Sequence, residues 1–160
     1  MPKTIVITGG NAGVGYALAQ NLMADSSAPQ LHIILACRDG AKANAAIESL
    51  KSTYPTSPNT LEFFPINLGN LASIQQFAIL FAQKYNTLDV LFNNAGVIPK
   101  ERTMTNDGFE LTVQTNHVGP TLLTALMLPV LKRTPGSRIV FVASELHGEC
   151  KLFALFMCSS

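Results

Sequence analysis

The sequence predicts an α/β protein with a doubly wound parallel sheet, and two patterns along its 160 residues carry this prediction. Short apolar runs rich in β-branched residues recur along the chain, as expected for strands that are buried on both faces of a parallel sheet. The stretches between them place apolar residues three or four positions apart, which is typical of helices with one buried face. Strands that alternate with helices are joined by right-handed crossovers, and these stack the helices on the two faces of one sheet.

Five runs fit the strand pattern, at residues 4–8, 32–36, 61–66, 88–92 and 138–143. Three stretches between them have helical spacing, around Val14 to Leu22, Ala43 to Leu50 and Leu71 to Phe81. A fourth helix is predicted from the long, mostly apolar stretch 107–131. The chain therefore predicts five strands and four helices in strict alternation.

Two prolines refine the topology. Pro65 lies in the third run and cannot donate a hydrogen bond to a strand ladder, so that strand is expected at a sheet edge. The strand order 3-2-1-4-5 places the third strand at an edge, and we expect that order, with the sheet ending after strand five. Pro120 follows Gly119 inside the fourth helix, and it should kink or restart that helix because its ring removes a backbone donor.

Composition limits the choice of partners. A chain of this length, with 48% hydrophobic residues, is enough for one domain with one core. The chain has eleven basic and ten acidic residues, and this balance gives no electrostatic reason to expect nucleic acid or an anionic membrane as a partner.

The cysteines and the late apolar run bear on the compartment. The chain has an odd number of cysteines, at positions 37, 150 and 158, which argues against a disulfide framework or a metal site and favours the reducing cytoplasm. The late apolar run 152–158 is far shorter than the roughly 20 residues of a transmembrane helix.

A glycine-rich loop follows the first strand directly, with the sequence Thr-Gly-Gly-Asn-Ala-Gly-Val-Gly at residues 8–15. Glycines permit a tight turn and a close approach of the backbone to a pyrophosphate, and the next helix presents free N–H groups and a positive dipole end. A nucleotide P-loop is excluded because no Lys-Ser/Thr pair follows. The remaining alternative is a turn that only caps the helix, and we favour a Rossmann-type NAD(P) site.

A second motif, Asn-Asn-Ala-Gly at residues 93–96, makes the pattern specific. Together the two motifs resemble the short-chain dehydrogenase/reductase family, and the resemblance continues through Asn67-Leu68, 115–119 and 138–144. Residues 36–39 and 107–110 resemble the branch that holds retinol dehydrogenases, WW-domain oxidoreductases and protochlorophyllide reductases. The resemblance implies an incomplete NAD(P)-binding domain at residues 1–148 and an unmatched tail at 149–160.

The resemblance also implies roles for single residues. The pyrophosphate site would be formed by Gly9, Asn11, Gly13, Val14 and Gly15, and the adenosine and ribose side by Asn94, Ala95 and Gly96. Asn116 matches an asparagine that holds a water of the proton relay, and Ser144 matches a serine that orients the substrate. Each of these residues also has a simpler interpretation. Asn116 would only satisfy backbone groups freed near Pro120, and Ser144 would be an ordinary serine at a strand end. Asn93 would only connect strand four to its neighbours.

Two positions bear on which dinucleotide binds. Asn67 stands where the family usually has an aspartate that reads the adenine amino group, and it keeps an acceptor oxygen. Arg38 follows strand two and can pair bidentately with the 2′-phosphate of NADP, where an acidic residue would favour NAD. Asp39 offers a carboxylate next to it, so a solvated Arg38–Asp39 pair is the alternative. The expected cofactor is NADP, with NAD possible.

The family's acid/base pair is missing from this sequence. The resemblance implies a tyrosine with a lysine four positions later, whose charge lowers the tyrosine pKa. The residues four positions after Tyr16, Tyr54 and Tyr85 are Gln20, Pro58 and Asp89. The sequence therefore predicts an NADP-dependent oxidoreductase by family, for a small lipophilic carbonyl or alcohol, whose C-terminal half is lacking and which is inactive as this chain. Alternatives are a non-catalytic dinucleotide-binding module and an unstable fragment of a longer product. Homo-oligomers, possible in the full-length family, are not expected here.

Overall fold

The computed structural model describes residues 2–26 and 29–143, and in this part of the chain strands alternate with helices. The elements in order are β1 (Lys3–Thr8), α1 (Gly13–Ala24), β2 (Leu31–Cys37), α2 (Gly40–Thr53), β3 (Thr60–Pro65), α3 (Leu71–Lys84), β4 (Val90–Asn93), α4 (Leu111–Val113), a π-helical turn (Gln114–Val118), α5 (Gly119–Lys132) and β5 (Arg138–Phe141). None of these helices has the length and hydropathy that crossing a bilayer requires.

The strands form one parallel sheet in the order β3-β2-β1-β4-β5, which confirms the predicted fold class and strand order. Pro65 ends β3 at the sheet edge, opposite Cys37 of β2. The next residue, Ile66, donates its N–H to the Cys37 carbonyl at 3.0 Å. Backbone N–H groups alternate in direction along a strand, so the donor that Pro65 lacks would have faced the open edge.

Two apolar clusters cover the two faces of the sheet, which explains why its strands are apolar throughout. Val6 of β1 packs in one cluster with Phe77 of α3 and Leu123 of α5. Its neighbour Ile7 packs in the other, with residues of α1 and α2 such as Ile47. Successive side chains of a strand point to opposite faces, so each central strand supplies both clusters.

The predicted fourth helix changes its hydrogen-bond pattern, as a kink or restart would require, just before Pro120. α4, the π-helical turn and α5 follow one another without a break, and Pro120 is the second residue of α5. In the turn, the Gly119 N–H donates to the carbonyl of Gln114, five residues back. Gly119 also lets α5 approach the chain after β3, since a Cβ there would lie 2.6 Å from the Leu68 carbonyl oxygen. The α-helix thus resumes at Gly119, next to Pro120, after a π-helical turn that the sequence pattern did not indicate.

A polar network that the sequence did not predict joins β2, β3 and α3 at the sheet edge. The Glu62 carboxylate accepts hydrogen bonds from the Lys84 ammonium and, at 2.6 Å, from the Tyr85 hydroxyl. The His32 Nε2 lies 3.3 Å from the same carboxylate. Burial raises the pKa of Glu62, but the hydrogen bonds from Lys84 and Tyr85 and the charges of Lys84 and His32 outweigh it, so the pKa is lowered.

We expect this network to make the stability of the fold depend on pH. The pKa of Glu62 is lower in the folded state, so its contribution is present above the ordinary glutamate pKa and is lost as pH falls through the folded pKa. Urea unfolding at about pH 7 and about pH 3 should show that Glu62→Gln destabilises the fold at the higher pH and much less at the lower one. Glu48→Gln, which alters an exposed pair with Lys51, is the control. A destabilisation by Glu62→Gln that is equal at both pH values would contradict this assignment.

Candidate functional site

A cleft opens where β1, β2, β3 and β4 end, on the side of the sheet to which their carboxyl ends point. Its walls are the glycine-rich loop after β1, the segment joining β2 to α2, residues 66–68 after β3, and residues 95–97 after β4. β1 and β4 are neighbours in the sheet but not in the chain, and open α/β sheets bind ligands at such a switch point. The cleft volume of about 230 Å³ is below the roughly 300–1,000 Å³ of pockets that enclose a drug-sized ligand. The cleft is therefore too small to enclose a whole ligand of that size.

The glycine-rich loop has a backbone that side chains would obstruct. Gly9 and Gly13 have φ angles of +67° and +54°, in the left-handed region that favours glycine. A Cβ on Gly15 would lie 2.5 Å from both the Gly9 carbonyl oxygen and the Asn94 Nδ2. Gly9 and Asn11 line the cleft, whereas Val14 is 65% exposed at the start of α1. Of residues 9–15, only Gly9 and Asn11 line the cleft, so the loop presents bare backbone at Gly9 and one side chain, that of Asn11.

The beginning of α1 leaves backbone donors available beside this loop. α2 and α3 each begin with a side-chain cap, from Asp39 and Asn70 respectively. α1 begins after Ala12, which provides no side-chain cap. The first N–H groups of an α-helix have no partner within the helix, and an anion is well suited to them. The local structure therefore suits a phosphate at this end of the cleft.

Thr8 and Asn94 fasten the ends of β1 and β4 to each other. The Thr8 hydroxyl accepts hydrogen bonds from the backbone N–H groups of Asn94, at 2.9 Å, and Ala95, at 3.0 Å. The Asn94 Nδ2 donates to the Thr8 carbonyl at 2.9 Å. Ala95 and Gly96 line the cleft, while the Asn94 side chain packs against Thr8, Gly9 and Gly15. The Asn94 side chain thus packs against the glycine-rich loop on the side away from the cleft. Thr8, which sequence reasoning did not single out, fixes the backbone of residues 94 and 95 in the cleft wall.

Asn93 faces away from this wall. Its side-chain Nδ2 donates to the Thr124 hydroxyl of α5 at 3.0 Å, as the simpler sequence interpretation of Asn93 expected. Its Oδ1 is buried without a hydrogen-bond partner among the described residues. Asn93 thus ties β4 to α5.

The segment after β2 places a cation and an anion beside the cleft. Arg38 is exposed and lines the cleft, and within residues 2–26 and 29–143 it forms no ion pair. Asp39 faces α2, where its Oδ1 accepts from the Lys42 N–H at 3.0 Å and its Oδ2 lies 3.8 Å from the Lys42 Nζ. The alternative Arg38–Asp39 pair is therefore not formed in the described part of the chain. Lys42, a cleft residue absent from the sequence prediction, takes its place as the partner of Asp39.

Asn67 and Cys37 form the floor near this segment. The Asn67 Oδ1 accepts a hydrogen bond from the Gly69 N–H at 3.0 Å, and an amide oxygen has a second lone pair for a ligand. Burial raises the pKa of the Cys37 thiol, while hydrogen bonding to the backbone of Asn11, Gly10 and Gly9 acts in the opposite direction. Cys37 thus packs as a buried thiol under the glycine-rich loop.

Asn116 lies in the π-helical turn and binds the loop that follows β4. Its Oδ1 accepts from the Val97 N–H at 2.8 Å, and its Nδ2 donates to the Val97 carbonyl at 2.9 Å. The side chain thus satisfies backbone groups, but those of Val97 and not those near Pro120. In an α-helix the Asn116 carbonyl would accept from residue 120, and Pro120 has no N–H to donate. Ser144, the other predicted reaction residue, lies outside the described residues.

Comparisons with known proteins agree with this geometry. A family model for short chain dehydrogenases matches residues 3–154. Human dehydrogenase/reductase SDR family member 13 is 37% identical over 150 residues, which are 94% of this chain and 38% of that protein. Zebrafish (Danio rerio) WW domain-containing oxidoreductase is 37% identical over 91% of this chain and 34% of its own length. Human retinol dehydrogenase 13 is also 37% identical, over 91% of this chain and 42% of its own length.

Solved structures show the same fold. The alcohol dehydrogenase from the archaeon Thermococcus sibiricus, complexed with 5-hydroxy-NADP, superposes with a TM-score of 0.74 at 21% identity, over 94% of this chain and 61% of that one. Menthone neomenthol reductase from Mentha piperita gives a TM-score of 0.74 at 21% identity, over 91% of this chain and 62% of its own. The chain spans less than half the length of the three curated relatives above.

Proposed function

The chain belongs to the short-chain dehydrogenase/reductase family, and from this premise we propose that it binds NADP(H) in the cleft at the strand ends. We further propose that it forms the cofactor half of an oxidoreductase acting on a carbonyl or alcohol group of a small lipophilic molecule. One observation carries the proposal: a bare glycine backbone, an uncapped helix start and an arginine without an ion pair in the described residues all adjoin one cleft.

The residues present suit each part of the dinucleotide. The loop at Gly9 and Gly13, with Asn11, Val14 and Gly15, offers backbone donors and no obstructing side chain for a pyrophosphate. Ala95 and Gly96 offer a small-residue wall for a ribose. Asn67 offers an acceptor for an adenine amino group, and Arg38 a charge for a 2′-phosphate.

The reaction side of the proposal rests on the family. The nicotinamide, when bound, supplies or accepts the hydride. In this chain Asn116 would fix the loop wall through Val97 and present its carbonyl to a water, and Ser144 would orient the substrate oxygen. The name of the retinol dehydrogenase relative supports a lipophilic substrate. The proposed location is the cytoplasm, because an odd number of cysteines argues against a disulfide framework and so favours a reducing compartment.

We expect Arg38→Asp to weaken NADPH binding more than NADH binding. The loss of one charge-assisted contact should cost about 1.5–3 kcal/mol for NADPH, because NADH has no 2′-phosphate for the guanidinium to pair with. Calorimetric titration of both cofactors measures the difference. Arg133→Asp is the control, because this arginine lies away from the cleft. Its Nε donates a hydrogen bond to the Asn86 carbonyl, near the opposite end of β4. Equal losses for the two cofactors would reject Arg38 as the residue that reads the phosphate.

A further inference from the structure

We propose that Asp107 and Gln114 are positioning residues for cofactor binding: they hold the π-helical turn, from which Asn116 bonds the wall of the cleft. The inference rests on the proposed function, since it adds residues outside the cleft that determine how well the same cleft binds a dinucleotide. It also gives a role to the motif Asp-Gly-Phe-Glu at residues 107–110, which does not line the cleft.

Gln114 is the first residue of the π-helical turn, and its side chain is completely buried. Its Oε1 accepts a hydrogen bond from the Thr105 hydroxyl, and its Nε2 donates to the Asp107 Oδ2 at 2.5 Å. The same Asp107 oxygen accepts the N–H of Leu71, the first residue of α3, at 2.9 Å. A buried amide with both ends bonded is held in one orientation, because an unpaired end would cost its desolvation free energy. The network therefore fixes the start of the turn relative to α3 and to residues 103–111.

The rest of the motif shapes the loop that carries Asp107. Gly108 has a φ angle of +82°, in the left-handed region that favours glycine, and its N–H donates to the Thr105 carbonyl at 3.1 Å. Glu110 caps α4, since its Oε2 accepts a hydrogen bond from the Val113 N–H at 2.9 Å. Because α4 continues directly into the π-helical turn, this loop and this cap set where the turn begins.

Two contacts connect the π-helical turn with the cleft. Asn116, in the same turn as Gln114, bonds both backbone groups of Val97, and Val97 lines the cleft. Thr115 also lines the cleft, and its hydroxyl packs closely on Gly69, where a Cβ would lie 3.3 Å from it. Close-packed segments transmit displacement because they leave no voids to absorb it. A shift of the turn would therefore displace both the cleft wall and the chain that follows β3.

The effect of such a shift should be the same for both dinucleotides. Val97 follows Gly96, which is proposed above to face a ribose, and NADP and NAD both contain that group. A displaced turn should therefore weaken the binding of NADPH and NADH equally. This separates Asp107 and Gln114 from Arg38, whose loss should weaken NADPH binding more.

The test moves the charge from one residue to the other. Gln114→Glu places a second carboxylate against Asp107, so it should weaken the binding of both NADPH and NADH about tenfold. The double variant Asp107→Asn/Gln114→Glu again pairs one carboxylate with one amide, and it should restore both affinities to within about threefold. Exchange of the Val97 amide proton, measured by NMR without cofactor, should accelerate in Gln114→Glu and recover in the double variant, because Asn116 accepts that N–H.

Two further variants distinguish positioning from stability. Thr134→Val removes two buried hydrogen bonds, from the Leu88 N–H at 3.0 Å and to the Val130 carbonyl at 2.8 Å, among residues that do not line the cleft. It should destabilise the fold in urea and leave both affinities unchanged. Thr105→Val removes the hydroxyl that bonds Gln114 and adds no charge, so it should weaken the binding of both cofactors about threefold. It replaces Gln114→Glu in the test if that variant does not fold.

The outcomes separate this inference from the proposed function. If the unaltered chain binds neither NADPH nor NADH, the proposed function fails and this inference fails with it. If the cofactors bind, and the Gln114 variant changes neither affinity nor Val97 exchange, the inference is overturned while the function stands. It is also overturned if the double variant shows no recovery, or if Thr134→Val weakens binding as much as Gln114→Glu does. Equal losses for both cofactors that the double variant reverses support it.

Discussion

Turnover of retinal, or of small aldehydes and ketones, with NADPH should stay at background for the 160-residue chain. A positioned general acid or base typically contributes about 10²–10⁴-fold to a rate, and here no tyrosine has a lysine four residues later. The structure shows no substitute among the three tyrosines. The Tyr16 hydroxyl is paired with the Ser49 hydroxyl at 3.1 Å, and none of the three lines the cleft at the strand ends. Burial and the Glu62 carboxylate raise the pKa of Tyr85, opposite to the shift an acid/base needs.

A fusion of this chain to the C-terminal half of a relative provides the positive control for that result. The fusion restores a Tyr-x-x-x-Lys pair, so it should regain turnover, and Ser144→Ala in the fusion should abolish it again. NADPH binding by the short chain, measured in parallel, separates loss of chemistry from loss of the cofactor. If the short chain alone turns over these substrates, and Ser144→Ala abolishes that turnover, the expectation is wrong.

The fold was predictable because its signals are local. Each central strand is apolar on both faces, and Pro65 indicates an edge without any knowledge of its neighbours. Pro120 likewise indicates, from the sequence alone, where the last α-helix begins again. The π-helical form of that restart was not predicted, because a proline removes one backbone donor without indicating how the helix before it adjusts.

The position of the candidate cleft was predictable, but the side-chain partners of its residues were not. The glycine-rich loop and the residues after β2 and β4 do meet in one cleft. The Asn94 side chain bonds Thr8, and the Asn116 side chain bonds Val97. These residues are distant in the chain, so the partners are determined only when the fold brings them together. Asp39 is a different case, because it binds Lys42, three residues later, as the N-cap of α2, and this local signal was overlooked in the sequence.

Close packing under the glycine-rich loop leads to the second large expected effect, which concerns Gly15. Gly15→Ala should abolish detectable NADPH binding and lower the free energy of unfolding by about 3 kcal/mol, at the upper end of typical overpacking costs. Alanine favours a helix over glycine by about 1 kcal/mol, but steric overlap should outweigh that gain. The added Cβ would lie 2.5 Å from the Gly9 carbonyl oxygen, a backbone atom that can move only if the loop moves. It would also lie 2.5 Å from the Asn94 Nδ2, which holds Thr8.

Two further variants distinguish this overlap from a general effect of alanine. Gly136→Ala adds a methyl group at a left-handed residue, with φ +75° and no atom within 4 Å of the new Cβ, so it should cost only about 1–2 kcal/mol and leave NADPH binding intact. Asn94→Ala in the Gly15→Ala background removes the side-chain overlap but not the overlap with Gly9, so it should not restore binding. Recovery of NADPH binding in that double variant would show that the obstruction is the Asn94 amide. The cofactor would then tolerate a displaced Gly9 backbone, and NADPH binding would not depend on the position of the Gly9 carbonyl.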